Sequence, residues 1–541
     1  MAAAGEGQHA LGPRIPMPSI IYGTAWKGAA STPLVFAALR AGFRAIDTAA
    51  QLKHYDEAAV GQGVRDALSF SFSASSAEDP DLQGLTRSQL WIQTKCTPPA
   101  GQDWSKPVAY ERTDRAAAAV RKSFALSLWN LATDEEWRQA HPAPPFGDSQ
   151  QQQQRVGLDQ KGKQRDLSGS TGVGATSNQS PLDVLSDAAV SLLPHETSSS
   201  SGTSGPAYPA PGSTLYPHLR PRTSVSEPYI DSYLLHSPFD SLEDTVEAWR
   251  EMENLVRLGW IRRIGLSNVY DPRILQVLRT RFITMPSTPL GHVEAGNLPT
   301  YPIAPTILQN RWHNSTLHDV SLFSILSPTL SPNDFADIAG RIQSQKELAD
   351  GPLKQLVRDQ VESVEPRELE APQPETDDPT QVQPMTYQAF WILTGNPSLL
   401  TRASVLESVQ ILNTYLPPTS VSPPLSPTSA AGQGESQLNQ AIRSTRWTAQ
   451  MLLYATVCLS LGGVPGLSTA VLCGSTDTVH MLEALVAVHR AEVLRSVELG
   501  RPRVGGGSAP PVGPKERERE EAHNVALQEA VDAIRREIYG E

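Results

Sequence analysis

Cysteine is scarce in this chain of 541 residues: three, Cys96, Cys458 and Cys473, stand far apart. They form neither a CxxC zinc pattern nor the even set of a disulfide framework, which fits a reducing compartment and gives no metal site to expect. Positive charge is short as well. The formal net charge is -12 and no dense Lys/Arg run lies beside aromatic residues, so a nucleic-acid partner is excluded. The opening MAAAGEGQHALGPRIP lacks a charged start followed by an apolar stretch, so no secretory signal is expected and the expected location is cytoplasmic. Long apolar runs are missing with one exception, Met451 to Ser475, which carries no charged side chain. Gly462-Gly463-Val464-Pro465-Gly466 would break a membrane helix midway, so this stretch reads as a buried helix to about Leu461, a turn and a strand Ala470 to Cys473, with no membrane span.

What the chain does contain is two alternating textures. Polar, low-complexity sequence from about 133–223, 327–384 and 417–437 buries too little apolar surface to offset ordering entropy and reads as long disordered insertions, open to protein partners. A helix is possible within Phe335 to Lys354 of the second. Residues 501–541 read as a Gly/Pro linker and a charged C-terminal helix. Between the insertions, over 14–500, short strands alternate with helical patterns: Ile20 to Gly23, Ala45 to Thr48, Trp91 to Thr94, Ile230 to His236, Arg263 to Ser267, Thr306 to Gln309, Thr386 to Trp391 and Ala470 to Gly474. Each is mostly apolar on both faces, and helix-compatible segments such as Pro33 to Ala41, Arg115 to Leu128 and Leu242 to Leu258 follow most of them. Strand–helix units repeated in this way predict one α/β domain, a (β/α)8 TIM barrel. An open doubly wound sheet would need a Gly-rich turn after its first strand. Gly61-Gln62-Gly63 lies instead in a helical segment and lacks the third glycine, so it reads as helix packing.

In such a barrel the C-terminal strand ends converge on one mouth. Asp47, Lys95 and His236 each end an apolar strand, and Ser267-Asn268 ends another. Taken singly they have structural readings: Asp47 as a helix cap, Lys95 snorkelling at an edge, His236 as a loop histidine, Ser267-Asn268 as a cap. Three strands ending in Asp, Lys and His make a mutual proton-handling site the better reading, because ionisable groups at apolar strand ends are desolvated and need partners.

The sequence around these ends resembles the aldo-keto reductase superfamily, in particular its fungal-type branch. The resemblance is carried by Tyr22-Gly23-Thr24-Ala25-Trp26, Phe43-Arg44-Ala45-Ile46-Asp47-Thr48-Ala49, Tyr55-Asp56-Glu57, Ile92-Gln93-Thr94-Lys95, Asp231-Ser232-Tyr233-Leu234-Leu235-His236-Ser237-Pro238, Ile264-Gly265-Leu266-Ser267-Asn268, Leu308-Gln309-Asn310-Arg311-Trp312 and Tyr387-Gln388-Ala389-Phe390-Trp391. It implies NAD(P)H-dependent reduction of a small-molecule aldehyde or ketone, with Tyr55 as general acid, Lys95 lowering its pKa, Asp47 holding Lys95, and His236 orienting the carbonyl. The family's usual spacing would put the tyrosine at Leu52; Gln51 to His54 reads as an inserted loop, with His54 as the alternative donor.

For the cofactor the resemblance implies Gly23 and Thr24 near the first strand, Ser267, Asn268 and Gln309 on the nicotinamide carboxamide, Tyr387 or Gln388 beneath its ring, and Ser475 and Thr476 toward the phosphates. NADP(H) is expected, with NAD(H) possible because the cations that the family's NADP-preferring members carry after the last strand are absent. Trp26 and Trp391 are the expected substrate walls. Two other readings use the same sequence: a regulatory or scaffold barrel with little turnover, and a non-redox isomerase or lyase.

Overall fold

The structure, a computed structural model, describes residues 16–73, 79–141, 220–271, 274–275, 277–278, 303–313, 318, 385–416, 436–462, 468–498 and 514–539. The eight expected strands are all present: β1 (Ile20–Gly23), β2 (Ala45–Asp47), β3 (Trp91–Cys96), β4 (Ile230–Leu235), β5 (Ile261–Ser267), β6 (Ile307–Arg311), β7 (Thr386–Phe390) and β8 (Ser468–Cys473). They pair in parallel, each with the next, and β8 closes on β1. The fold is therefore the expected (β/α)8 barrel.

Alternation along each strand explains the apolar runs. Tyr22, Ile46, Ile92, Tyr233, Leu308 and Val471 face outward into the core shared with the helices. Ile21, Ala45, Trp91, Leu234, Ile307 and Ala470 face inward and form an apolar floor against which Met17 packs. Above that floor the inward positions become polar, and this change of texture places the site.

The outer helices include α1 (Ser31–Ala41), α2 (Glu57–Ser71), α3 (Ala116–Leu131), α4 (Glu135–Ala140) and α5 (Leu242–Arg257). After β7 come α6 (Ala403–Thr414), α7 (Gln437–Ser444) and α8 (Ala449–Gly462), and after β8 come α9 (Thr478–Glu498) and α10 (Pro514–Tyr539). Asp56 caps α2 by accepting from the Ala59 N–H at 3.0 Å. Gly61 and Gly63 lie inside α2, where a Cβ would stand 2.0 Å from the Asn130 carbonyl oxygen and 2.6 Å from that of Thr32. They are packing glycines, as expected, and let α3 and α1 approach.

The uncharged stretch becomes α8 and β8, with α8 packed against α9, α10 and β8. Among the described residues no helix is long and apolar enough to cross a membrane. The charged helix α10 lays a stripe of Ala526, Leu527, Ala530, Val531 and Ile534 against α6 and α8. Residues 134–141, inside the insertion expected from 133, are folded: Asp134 caps α4 and Trp137 is buried. The insertion's far edge is also folded: Arg222 donates from its backbone to the Leu258 carbonyl at 2.8 Å. The remainder of that segment, 142–219, lies outside the described residues, as do 327–384, the helix considered at Phe335 to Lys354, and 417–435.

Candidate active site

Strand register brings the first residues together. Asp47 pairs with Gln93, and Lys95 lies two residues further along the same inward face of β3. The Lys95 ammonium donates to Asp47 Oδ1 at 2.7 Å, to Oδ2 at 2.6 Å and to the Thr48 carbonyl at 3.0 Å. Both side chains are buried, 1% and 2% exposed, so each is the other's replacement for water. Burial still pulls Lys95 below the usual lysine range, against the opposing pull of Asp47. Asp47 is thus not a helix cap, and Lys95 does not snorkel.

Tyr55 sits immediately before the Asp56 cap, its N–H bonded to the Gln51 carbonyl at 3.0 Å. The loop over Gln51 to His54 turns the chain so that a tyrosine eight positions after Asp47 still reaches the mouth. Its ring meets His236 edge-to-face with centroids 5.7 Å apart, and Lys95 Nζ lies 5.4 Å from its centroid. One expectation is corrected. Burial and then Asp47 hold the Tyr55 phenol above the usual tyrosine range, Arg311 acts the other way, and the three Lys95 N–H donors already have oxygen partners.

His236 closes the group from β4. Its Nδ1 lies 2.8 Å from Thr97 Oγ1, and burial, followed by Lys95, His54 and Arg311, holds it well below the usual histidine range. The ring is therefore neutral near pH 7. His54 stacks on Trp26 with centroids 3.6 Å apart and is pushed down to about 4 by burial.

Trp26, Asn268 and Trp391 all have positive φ, at 65°, 52° and 62°. Side chains with a Cβ rarely adopt this conformation, so backbone strain gathers where the sequence placed the substrate walls and the nicotinamide contact. Trp26 is 69% exposed, an apolar lip on the mouth. Trp391 lies under the Arg311 guanidinium, 4.7 Å from its ring centre.

The other expected cofactor residues divide. Asn268 donates to the His236 carbonyl at 2.9 Å and accepts from Tyr270 at 3.2 Å, which holds it at the mouth. Ser267 donates to Gln309 Oε1 at 3.4 Å. Gln309 is turned inward, donating to Gln388 at 2.8 Å and to Asp47 at 3.2 Å. Thr24 is fully buried and donates to the Asp47 carbonyl at 2.8 Å, so its hydroxyl supports the strand. Tyr387 is also fully buried, in the outer core, and cannot underlie a ring at the mouth. Gln388 points inward but sits below the rim; two residues on, Phe390 is the β7 side chain that alternation directs to the mouth. Gly23 pairs with Asp47, Gly474 has open space around it, Ser475 accepts from the Asp477 N–H at 3.0 Å, and Thr476 is exposed.

Sequence reasoning passed over Lys27, Gln93, Arg311 and Phe390. Lys27 is 8% exposed, and its ammonium donates to the Gly474 carbonyl at 2.8 Å, bridging β1 and β8. Strand parity was the available signal for Gln93, Arg311 and Phe390. None existed for Lys27, whose partner is distant in sequence. Among the described residues no cluster of His, Cys, Asp or Glu could hold a metal ion.

Comparison with known proteins bears on part of this assembly. Residues 222–289, which contain β4, His236, β5 and Ser267-Asn268, match the model of the Aldo/keto reductase family. An NAD/NADP-dependent indole-3-acetaldehyde reductase of Schizosaccharomyces pombe is 37% identical over 59 residues, 10% of this chain and 21% of the relative. An NADPH-dependent alpha-keto amide reductase of Saccharomyces cerevisiae is 42% identical over 55 residues, 9% of this chain and 18% of the relative. The chain therefore spans about a fifth of the length of these curated relatives. A crystal structure of an aldo-keto reductase from a Medee basin deep-sea metagenome library overlaps with a TM-score of 0.36 at 13% identity, covering 96% of this chain and 95% of that one. Residues 222–289 are thus similar in sequence to the Aldo/keto reductase family.

Proposed function

We propose that this protein is an NAD(P)H-dependent oxidoreductase that reduces an aldehyde or ketone to the alcohol, with Tyr55 as the general acid assisted by Lys95, Asp47 and His236. The observation that carries the reading is the convergence of a buried Lys95–Asp47 pair, the Tyr55 ring and a neutral His236 at one barrel mouth. Burial keeps the phenol protonated at neutral pH, the state a proton donor needs. In the tautomer that suits this role Thr97 donates to His236 Nδ1, and the ring proton on Nε2 would hydrogen-bond a carbonyl oxygen. As charge develops on that oxygen, Tyr55 transfers its proton, with the Lys95 ammonium held beside the ring as a positive charge while its N–H donors stay on Asp47 and Thr48.

The residues present fit a dinucleotide. Among the described residues the buried Lys27 ammonium has one hydrogen-bond acceptor, the Gly474 carbonyl, and lies 5.2 Å from the Tyr22 ring centre, so a bound phosphate would give it an anionic partner. Open space at Gly474, with Ser475 and Thr476 beside it, lies next to Lys27, and Asn268 and Ser267 line the nicotinamide end. When bound, the reduced nicotinamide supplies hydride to the carbonyl carbon. NADP(H) is the expected form with NAD(H) possible, as the two relatives' names also suggest. The substrate is a small carbonyl compound flanked by Trp26 and Trp391.

The test follows 340 nm absorbance with NADPH and NADH over a panel of aldehydes and ketones, for the wild type and Tyr55→Phe. Turnover by the wild type and a loss of about a thousandfold or more in Tyr55→Phe, with NADPH affinity kept, are expected. No turnover of any carbonyl, or an unimpaired Tyr55→Phe, sinks the reading and favours a barrel that binds nucleotide without reducing a carbonyl.

A further inference from the structure

Between the apolar floor and the mouth lies a chain of hydrogen bonds that runs from a donor-only indole, Trp91, to an acceptor-only carboxylate, Asp47. Trp91 Nε1 donates to Ser232 Oγ at 2.9 Å, Ser232 donates to Gln93 Oε1 at 2.7 Å, and Gln93 Nε2 donates to Asp47 Oδ1 at 2.7 Å. An indole N–H can only donate. The ionised Asp47 carboxylate can only accept, so Gln93 turns its NH2 toward Asp47 and its carbonyl toward Ser232, which accepts from Trp91 and donates its own proton to Gln93. Gln388 fixes the amide a second time: Gln93 donates to it at 2.7 Å and it donates back at 2.9 Å. A flipped Gln93 would set its oxygen against the Asp47 carboxylate and lose these bonds together. All five side chains are buried, so an alternative pairing with water is not at hand.

We propose that Trp91, Ser232, Gln93 and Gln388 are positioning residues that lock the Asp47 carboxylate against Lys95, so that the ammonium at the reaction centre is aimed from a rigid base. This rests on the function proposed above. The side chains touch no reacting group; they act through Asp47. Lys95 itself faces Asp47 on β2, Glu57 on α2, the Tyr55 ring and, across the mouth, His236. Of these, Asp47 is the partner that the chain holds in place.

The experiment compares Gln93→Leu and Trp91→Phe with the wild type, after circular dichroism and thermal melting confirm folding. Trp91→Phe removes the donor while keeping an aromatic ring in the floor, and it carries the test if Gln93→Leu does not fold. Two readouts apply: kcat and KM with NADPH, and the Lys95 deprotonation midpoint from the Cε shift of 13C-lysine-labelled protein. We expect kcat to fall about tenfold in Gln93→Leu and about threefold in Trp91→Phe, with KM for NADPH within about twofold. The Lys95 midpoint should move down in both, because a loosened Asp47 supports the ammonium less. Folded variants with unchanged kcat and an unchanged Lys95 midpoint overturn the proposal, as does a loss confined to KM for NADPH. A wild type that reduces no carbonyl while the Lys95 midpoint shifts as expected removes the proposed function and leaves the positioning role standing.

Discussion

The two sides of the barrel mouth are built from different material. On the β2–β4 side, Asp47, Lys95, Tyr55 and His236 are packed into contact, and the Asp47 carboxylate accepts from Lys95, Gln93 and Gln309. On the β1–β8 side the rim is Gly474, Ser475 and Thr476, exposed or half-buried, with one buried cation, Lys27, behind it. Charge held in low dielectric acts strongly and tolerates little change, whereas exposed hydroxyls act weakly and tolerate more. On the function proposed above, the geometry for proton transfer would be concentrated on one side, and recognition of the cofactor's phosphates on the other would rest largely on Lys27.

The largest test of that contrast is Lys95→Met. Turnover should fall about a thousandfold, and stability by about 3–5 kcal/mol, because the Asp47 carboxylate is left buried with only amide donors. Chemical denaturation and steady-state kinetics measure both, and replacing Asp47 by Leu in the same protein should restore part of the stability. Lys27→Met should give a different pattern: KM for NADPH about tenfold higher, kcat within about twofold. Equal losses of kcat in the two variants would erase the distinction between the sides.

The smallest effect concerns Glu57, which lies behind the relay and accepts from Thr94 at 2.6 Å and Asn130 at 3.1 Å. Burial raises its pKa in the folded protein despite these bonds. A raised folded-state value means that the native state holds its proton more tightly than the unfolded chain, so stability is lost as pH rises above the unfolded value. Glu57→Gln lacks that dependence. Its melting temperature relative to wild type should rise by about 2 °C between pH 4.5 and pH 7. A constant difference would show that Glu57 is fully compensated by its partners.

Much of this was legible in the chain because its signals are local. Several strands are short, mostly apolar runs with an ionisable residue at or just past the C-terminal end, and that pattern pointed to Asp47, Lys95 and His236. The phrase Tyr55-Asp56-Glu57 located the tyrosine despite the shifted spacing, for a reason that the fold makes plain: Asp56 caps α2 and Glu57 is buried against Thr94 and Asn130. Where sequence reasoning failed, the missing quantity was which way a side chain points. Tyr387 and Gln388 are adjacent, yet alternation sends one to the outer core and the other to the barrel interior. Thr24 reads as a rim hydroxyl, but it is turned back onto the Asp47 carbonyl. The apolar stripe of α10 is visible as a helical period, but that it seats on α6 and α8 is a packing outcome.

The sequence by itself determined the strand–helix order, the residues at the strand ends and the family segment, because periodicity, turn residues and motif text are properties of neighbouring positions. Only the tertiary structure decided that Lys27 meets Gly474, that Ser232 links Trp91 to Gln93, and that the Lys95 donors turn to Asp47 and Thr48. Those pairings join distant parts of the chain, and barrel closure and strand register, not local preference, set their distances.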